Sequence, residues 1–223
     1  MKTQKTMKHL CALAGATSLL VAPSLFANIS YEGTYTGTLN LSLAYGVAND
    51  TILVQSSGLG TFYSFCLNSS VDANSGQTYN YTSSETITPA NNGGPTQVTL
   101  GTAWLYSEFN NGGLASYGYD GSTASANELQ QAIWYLQGSP GGVDNVFVTD
   151  AQSALTGLNL GSETNAANGA FGVFALNLTD NNGGPAQPIL GMVPEPSTVV
   201  AGVLLLLPFG VSTVRILRKD KVS

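Results

Sequence analysis

Cys66 is the single cysteine between Asn28 and Leu190; the other, Cys11, sits close to the N-terminus. A thiolate is a strong nucleophile. An odd cysteine in an exported protein is a liability unless it has chemistry to do or packs as a small hydrophobe. The partners that usually activate a thiol are missing. No Lys, Arg or His occurs between Asn28 and Leu190, and His9 is the only histidine in the chain. That gap excludes a Cys–His or Ser–His–Asp nucleophile, a Schiff-base lysine and an intramolecular Lys–Asn crosslink. It leaves too few His and Cys residues for a zinc site. It also excludes nucleic-acid binding, which needs cations on the phosphates. Eleven of the thirteen carboxylates lie in this stretch, but no motif pairs two of them for acid–base work. Asp72-Ala73-Asn74-Ser75-Gly76 faintly resembles the opening of a calcium loop; Ser83 holds the twelfth position, where such a loop needs Glu, so it reads as a turn. No metal and no cofactor are expected.

The elements that must position Cys66 read as mainly β, a sandwich or barrel, with one clear inserted α-helix. Only 9% of residues are charged and 26 are Gly, against about 25% charged in an average soluble domain. β-formers alternate over Tyr31–Leu41, and strands are also expected at Thr51–Val54, Gly60–Leu67, Gln97–Leu100 and Phe171–Leu178. Asn91-Asn92-Gly93-Gly94-Pro95 recurs as Asn181-Asn182-Gly183-Gly184-Pro185 and reads as turn chemistry. The clear helix is Ser125–Gly138. Ser125 with Glu128 looks like a capping box, and Gly138 and Pro140 look like a stop. Leu129, Ile133 and Leu136 share one face, with Trp134 beside it. Thr102–Phe109 has the look of a helix start, and Asp150–Leu155 of a short helical turn.

Two short motifs carry a resemblance. Phe65-Cys66-Leu67 and Leu129-Gln130-Gln131-Ala132-Ile133-Trp134 resemble the paired signatures of the Cys–Gln thioester domains of bacterial surface adhesins. Ala103-Trp104-Leu105-Tyr106 is similar to what lies between them in such proteins. The resemblance spans Tyr63 to Leu136. It implies that Cys66 is the thiol, Gln130 the acyl donor and Trp134 the packing tryptophan, with Gln131 as the second-ranked donor. The thiol would expel ammonia from the carboxamide and leave an activated acyl group. An amine-bearing surface ligand would then take the acyl group once per molecule, which is capture and not enzymatic turnover. Without His, activation falls to backbone N–H donors and a nearby carboxylate, helped by the helix dipole, with Gln130 expected near the helix start. The other reading is a noncatalytic structural or matrix protein, its Tyr side chains binding exopolysaccharide.

Every cation is at one of the two ends. Residues 1–27 read as a cleavable signal peptide: Lys2, Lys5 and Lys8, an apolar stretch from Leu10 to Val21, then Ala27 at the cut. At the other end Val193-Pro194-Glu195-Pro196 precedes an apolar run from Val199 to Val214 and the basic tail of Arg215, Arg218, Lys219 and Lys221. A helix from Thr198 to Leu217 would be roughly 30 Å long, about one hydrocarbon core. The tail would stay cytoplasmic by the positive-inside rule. This order resembles the PEP-CTERM sorting signal. The resemblance implies export past signal peptidase, transient anchoring in the inner membrane, cutting by exosortase, and delivery to the cell surface or biofilm matrix. The expected organisation is a signal peptide (1–27), an exported β-rich domain (28–180), a linker (181–192) and the sorting signal (193–223).

Overall fold

The computed structural model describes residues 35–43, 51–56, 58–91 and 93–192. The expected signal peptide (1–27), the expected sorting motif Val193–Pro196, the apolar run and the basic tail lie outside the described residues. Six strands form one antiparallel sheet: β1 (Thr36–Leu43), β2 (Ile52–Ser56), β3 (Gly60–Ser64), β4 (Thr78–Ser84), β5 (Val173–Thr179) and β6 (Ile189–Met192). Their order is β3-β2-β1-β4-β5-β6. The strip after β3 folds onto β6. Leu67 N–H donates to Pro188 C=O (2.9 Å) and Leu190 N–H to Phe65 C=O (3.0 Å), with Cys66 facing Ile189. The sheet therefore nearly closes into a barrel, which hides its two edges.

Alternation fills the barrel. In β4, Tyr79 and Tyr81 point inward while Thr78, Asn80 and Thr82 face solvent. The tyrosines pack with Leu39, Leu41, Val54 and Leu176. Gly37 is required where the Tyr81 ring crosses β1, because a Cβ there would lie 2.9 Å from the ring. β5 is buried on both faces. Leu176 and Leu178 fill the barrel, while Val173 and Ala175 face a second core formed with the helices. β4 carries no aliphatic residue, so its sequence signals a strand only through its two tyrosines.

The connection from β4 to β5 contains three helices, α1 (Leu100–Asn110), α2 (Thr123–Leu136) and α3 (Val146–Gly157): the clear helix of the sequence pattern is α2, and the helix start at Thr102–Phe109 and the short turn at Asp150–Leu155 are parts of the full helices α1 and α3. They pack with Phe65, Leu67, Val173, Ala175 and Leu190 into the second core. The expected strand at Gln97–Leu100 is absent. Gln97 and Thr99 form only isolated bridges, because Thr99 caps α1 and Leu100 opens it. The expected cap of α2 shifts too. Ser122, not Ser125, is the cap, its side chain accepting from Ser125 N–H (3.2 Å). Asp120 adds bonds from Ser122 N–H (2.9 Å) and the Ser125 hydroxyl (2.7 Å). Gly138, at φ 60°, follows the helix as expected. The stretch expected as a linker, 181–192, instead holds a turn and β6. Ala186, Ile189 and Leu190 are buried there, in a strand too short for periodicity to reveal.

Candidate thioester site

Cys66 sits where the barrel closes. The bonds on either side of it, Leu190 to Phe65 and Leu67 to Pro188, make Cys66 and Ile189 a pair without hydrogen bonds to each other. The N–H and C=O of Cys66 must therefore point the other way, toward α2. There Gln130 takes both. Cys66 N–H donates to Gln130 Oε1 (2.8 Å), and Gln130 Nε2 donates to Cys66 C=O (2.9 Å). One carboxamide thus stands where a further strand would have paired. It lies alongside the Cys66 backbone. Gln130 is 1% exposed, so its two amide ends are buried and satisfied. Cys66 is half-buried and packs against the barrel core.

Of the two adjacent glutamines, Gln130 is the one on Cys66. Gln131 is half-buried, and its backbone C=O accepts from Val143 N–H (3.1 Å). The dipole argument fails, however. α2 begins at Thr123, so Gln130 lies two turns in, beyond the end effect. The donor that polarises its carbonyl is instead the Cys66 N–H. Trp134 is half-buried. A Cβ on Gly141 would lie 3.5 Å from its ring, so the loop after α2 runs over the indole. The indole Nε1 is buried without a hydrogen-bond partner, so the indole makes no hydrogen bond to Cys66 or to the Gln130 carboxamide.

Further side chains lock the two elements together, and the sequence pattern did not point to them. Asn91 Nδ2 donates to Leu67 C=O (3.1 Å) and to Gln137 C=O (3.0 Å). It thereby ties the residue after Cys66 to the end of α2. Ser69 N–H donates to Ser139 Oγ (2.9 Å), and the Ser69 hydroxyl to Pro140 C=O (2.6 Å). Gly94 lies so close to α2 that a Cβ would fall 2.6 Å from Gln137 C=O. The Asn-Asn-Gly-Gly-Pro turn is thus both turn chemistry and a wedge. On the other side, the Tyr106 hydroxyl of α1 donates to Tyr63 C=O (2.8 Å). Complete burial pushes the Tyr106 phenol well above its usual range, so it remains a donor.

Among the described residues no group of His, Cys, Asp and Glu is arranged to hold a metal ion, and no helix is long and apolar enough to cross a membrane. No family model matches the chain, and no curated protein or solved structure is significantly similar to it.

Proposed function

We propose that this is an exported cell-surface or biofilm-matrix protein, sorted by exosortase, whose domain captures amines through a thioester between Cys66 and Gln130. The observation that carries the capture reading is the two-point contact of the Gln130 carboxamide with the Cys66 backbone. It supports the reading because it keeps the Gln130 carboxamide beside the backbone of the residue that bears the nucleophile, and proximity is what lowers the cost of an intramolecular reaction.

The chemistry balances without a cofactor. The Cys66 sulfur attacks Cδ of Gln130, forming a C–S bond. Negative charge develops on Oε1, where the Cys66 N–H already donates. The C–N bond breaks, and Nε2 leaves as ammonia with the thiol proton. An incoming primary amine later attacks the same carbon, forms an amide and regenerates the Cys66 thiol. The described domain has no lysine to consume the thioester from within.

The export reading rests on the resemblance of both ends to targeting signals: three lysines before an apolar stretch, and Val193–Pro196 before an apolar run and a basic tail. The capture test is labelling with a biotinylated primary amine. The wild-type protein is expected to take up label at Gln130, and Cys66→Ala to take up none. Equal labelling of both would sink the proposal.

A further inference from the structure

None of the six strands carries a charged residue. The nine carboxylates of the described residues all lie in loops and helices. The outer face of an antiparallel sheet is ordinarily where Lys and Glu are placed, since charge keeps it solvated and solitary. Here that face is a lattice of neutral hydrogen-bonding groups. Across four adjacent strands Thr61, Gln55, Asn40 and Thr78 stand side by side. Thr38 and Asn80 form a pair in the next row. All six are exposed. The Thr78 hydroxyl donates to Asn40 Oδ1 (2.5 Å), which holds that amide in one orientation. Tyr63 stands on the same outward side of β3 as Thr61 and is 37% exposed.

We infer that this sheet face is a docking surface for a neutral polysaccharide. Strands about 4.8 Å apart, with like-facing residues about 7 Å apart along each strand, present donors and acceptors at repeating intervals. A polymer of sugar hydroxyls meets such a face without desolvating any charge, which is the costly part of polar docking. The charge pattern selects the occupant. Asp72, Glu85 and Asp180 lie in the segments that adjoin the strands, and there is no cation among the described residues, so a uronate or sulfated polymer is repelled. The exposed Tyr63 ring supplies an apolar surface of the kind sugar C–H faces pack on. This surface is separate from the Cys66–Gln130 site and stands or falls without it.

The test is co-sedimentation of the full chain, in the Cys66→Ala background to remove covalent capture, with an insoluble neutral β-glucan, with cross-linked polyuronate, and with no polymer. Co-sedimentation with the neutral polymer is expected, weakened at least tenfold by Asn40→Glu/Asn80→Glu, while any polyuronate retained through the cations of the two ends is retained equally by that variant. Both positions are exposed, so circular dichroism of that variant should match the parent. The inference is overturned if the neutral polymer retains nothing, if the double variant binds it undiminished, or if polyuronate is retained and the double variant weakens that retention. Sedimentation without polymer, abolished by the same substitutions, would also overturn it, since the occupant would then be a second copy of the chain.

Discussion

On the capture proposal Gln130 carries two roles, which separate by substitution. As a structural group it satisfies the N–H and C=O of Cys66 at the barrel seam. Gln130→Ala leaves both backbone groups buried and unmatched, an expected loss of about 2–3 kcal/mol in chemical denaturation. Cys66→Ala abolishes capture and keeps both bonds, so it is the parent for that comparison; in the wild type the thioester replaces Nε2 and cross-links the two residues. If Gln130→Ala proves as stable as the parent, the buried two-point contact is wrong. Cys66, Gln130 and the choice of Gln130 over Gln131 were legible because the paired motifs name them. Asn91 and Ser69 were not. An asparagine in a Gly-rich turn and a serine in a loop look alike whether they face solvent or hold two elements together, and only the folded chain distinguishes them.

At the scale of elements, α2 is the part that brings its carboxamide to the seam, and its cap and its covering loop hold it there. Asp120 accepts from Ser122 and Ser125 at the helix start, and these hydrogen bonds pull its carboxyl down to about 2 from 3.8. A depressed carboxyl stabilises the fold above its unfolded value, and that contribution disappears as pH falls through the folded value. Melting curves of wild type and Asp120→Ala are therefore expected to differ at pH 5 and to converge between about pH 4 and 2. A gap unchanged at pH 2 would contradict the capping role. The loop after α2 lies on the helix itself: a Cβ on Gly142 would fall 2.3 Å from Tyr135 N. Gly142→Ala is expected to cost about 1–3 kcal/mol and to slow capture, read as a lower melting temperature and slower amine uptake. The long, strongly patterned α2 was readable from the sequence apart from its first residues. There the Ser125–Glu128 spacing pointed to a cap one turn too late; the cap is Ser122, held by Asp120. α1 and α3 were harder to read, because α1 is buried over most of its length and shows little amphipathic contrast. β6 was hidden by length.

At the scale of the molecule, charge is divided between parts. Cations occupy the two ends, and the described domain between them holds carboxylates and one thiol. On the sorting proposal, Pro194→Ala/Pro196→Ala is expected to leave the basic tail attached and the protein in the inner-membrane fraction, detected with a C-terminal tag. Unchanged release to the surface would contradict it. The barrel–helix frame follows the same division. A closed sheet needs no charged edge, and three helices cover β5 and bring Gln130 to the seam. The claim at the centre of this account is the bond between Cys66 and Gln130, and the intact mass of the purified wild-type protein, measured beside Cys66→Ala and after treatment with an alkylating reagent, tests it most directly. The account expects the wild type to be lighter than its sequence mass by one ammonia and to resist alkylation, with Cys66→Ala at full mass. A wild type at full mass whose Cys66 alkylates completely in the folded state would contradict it.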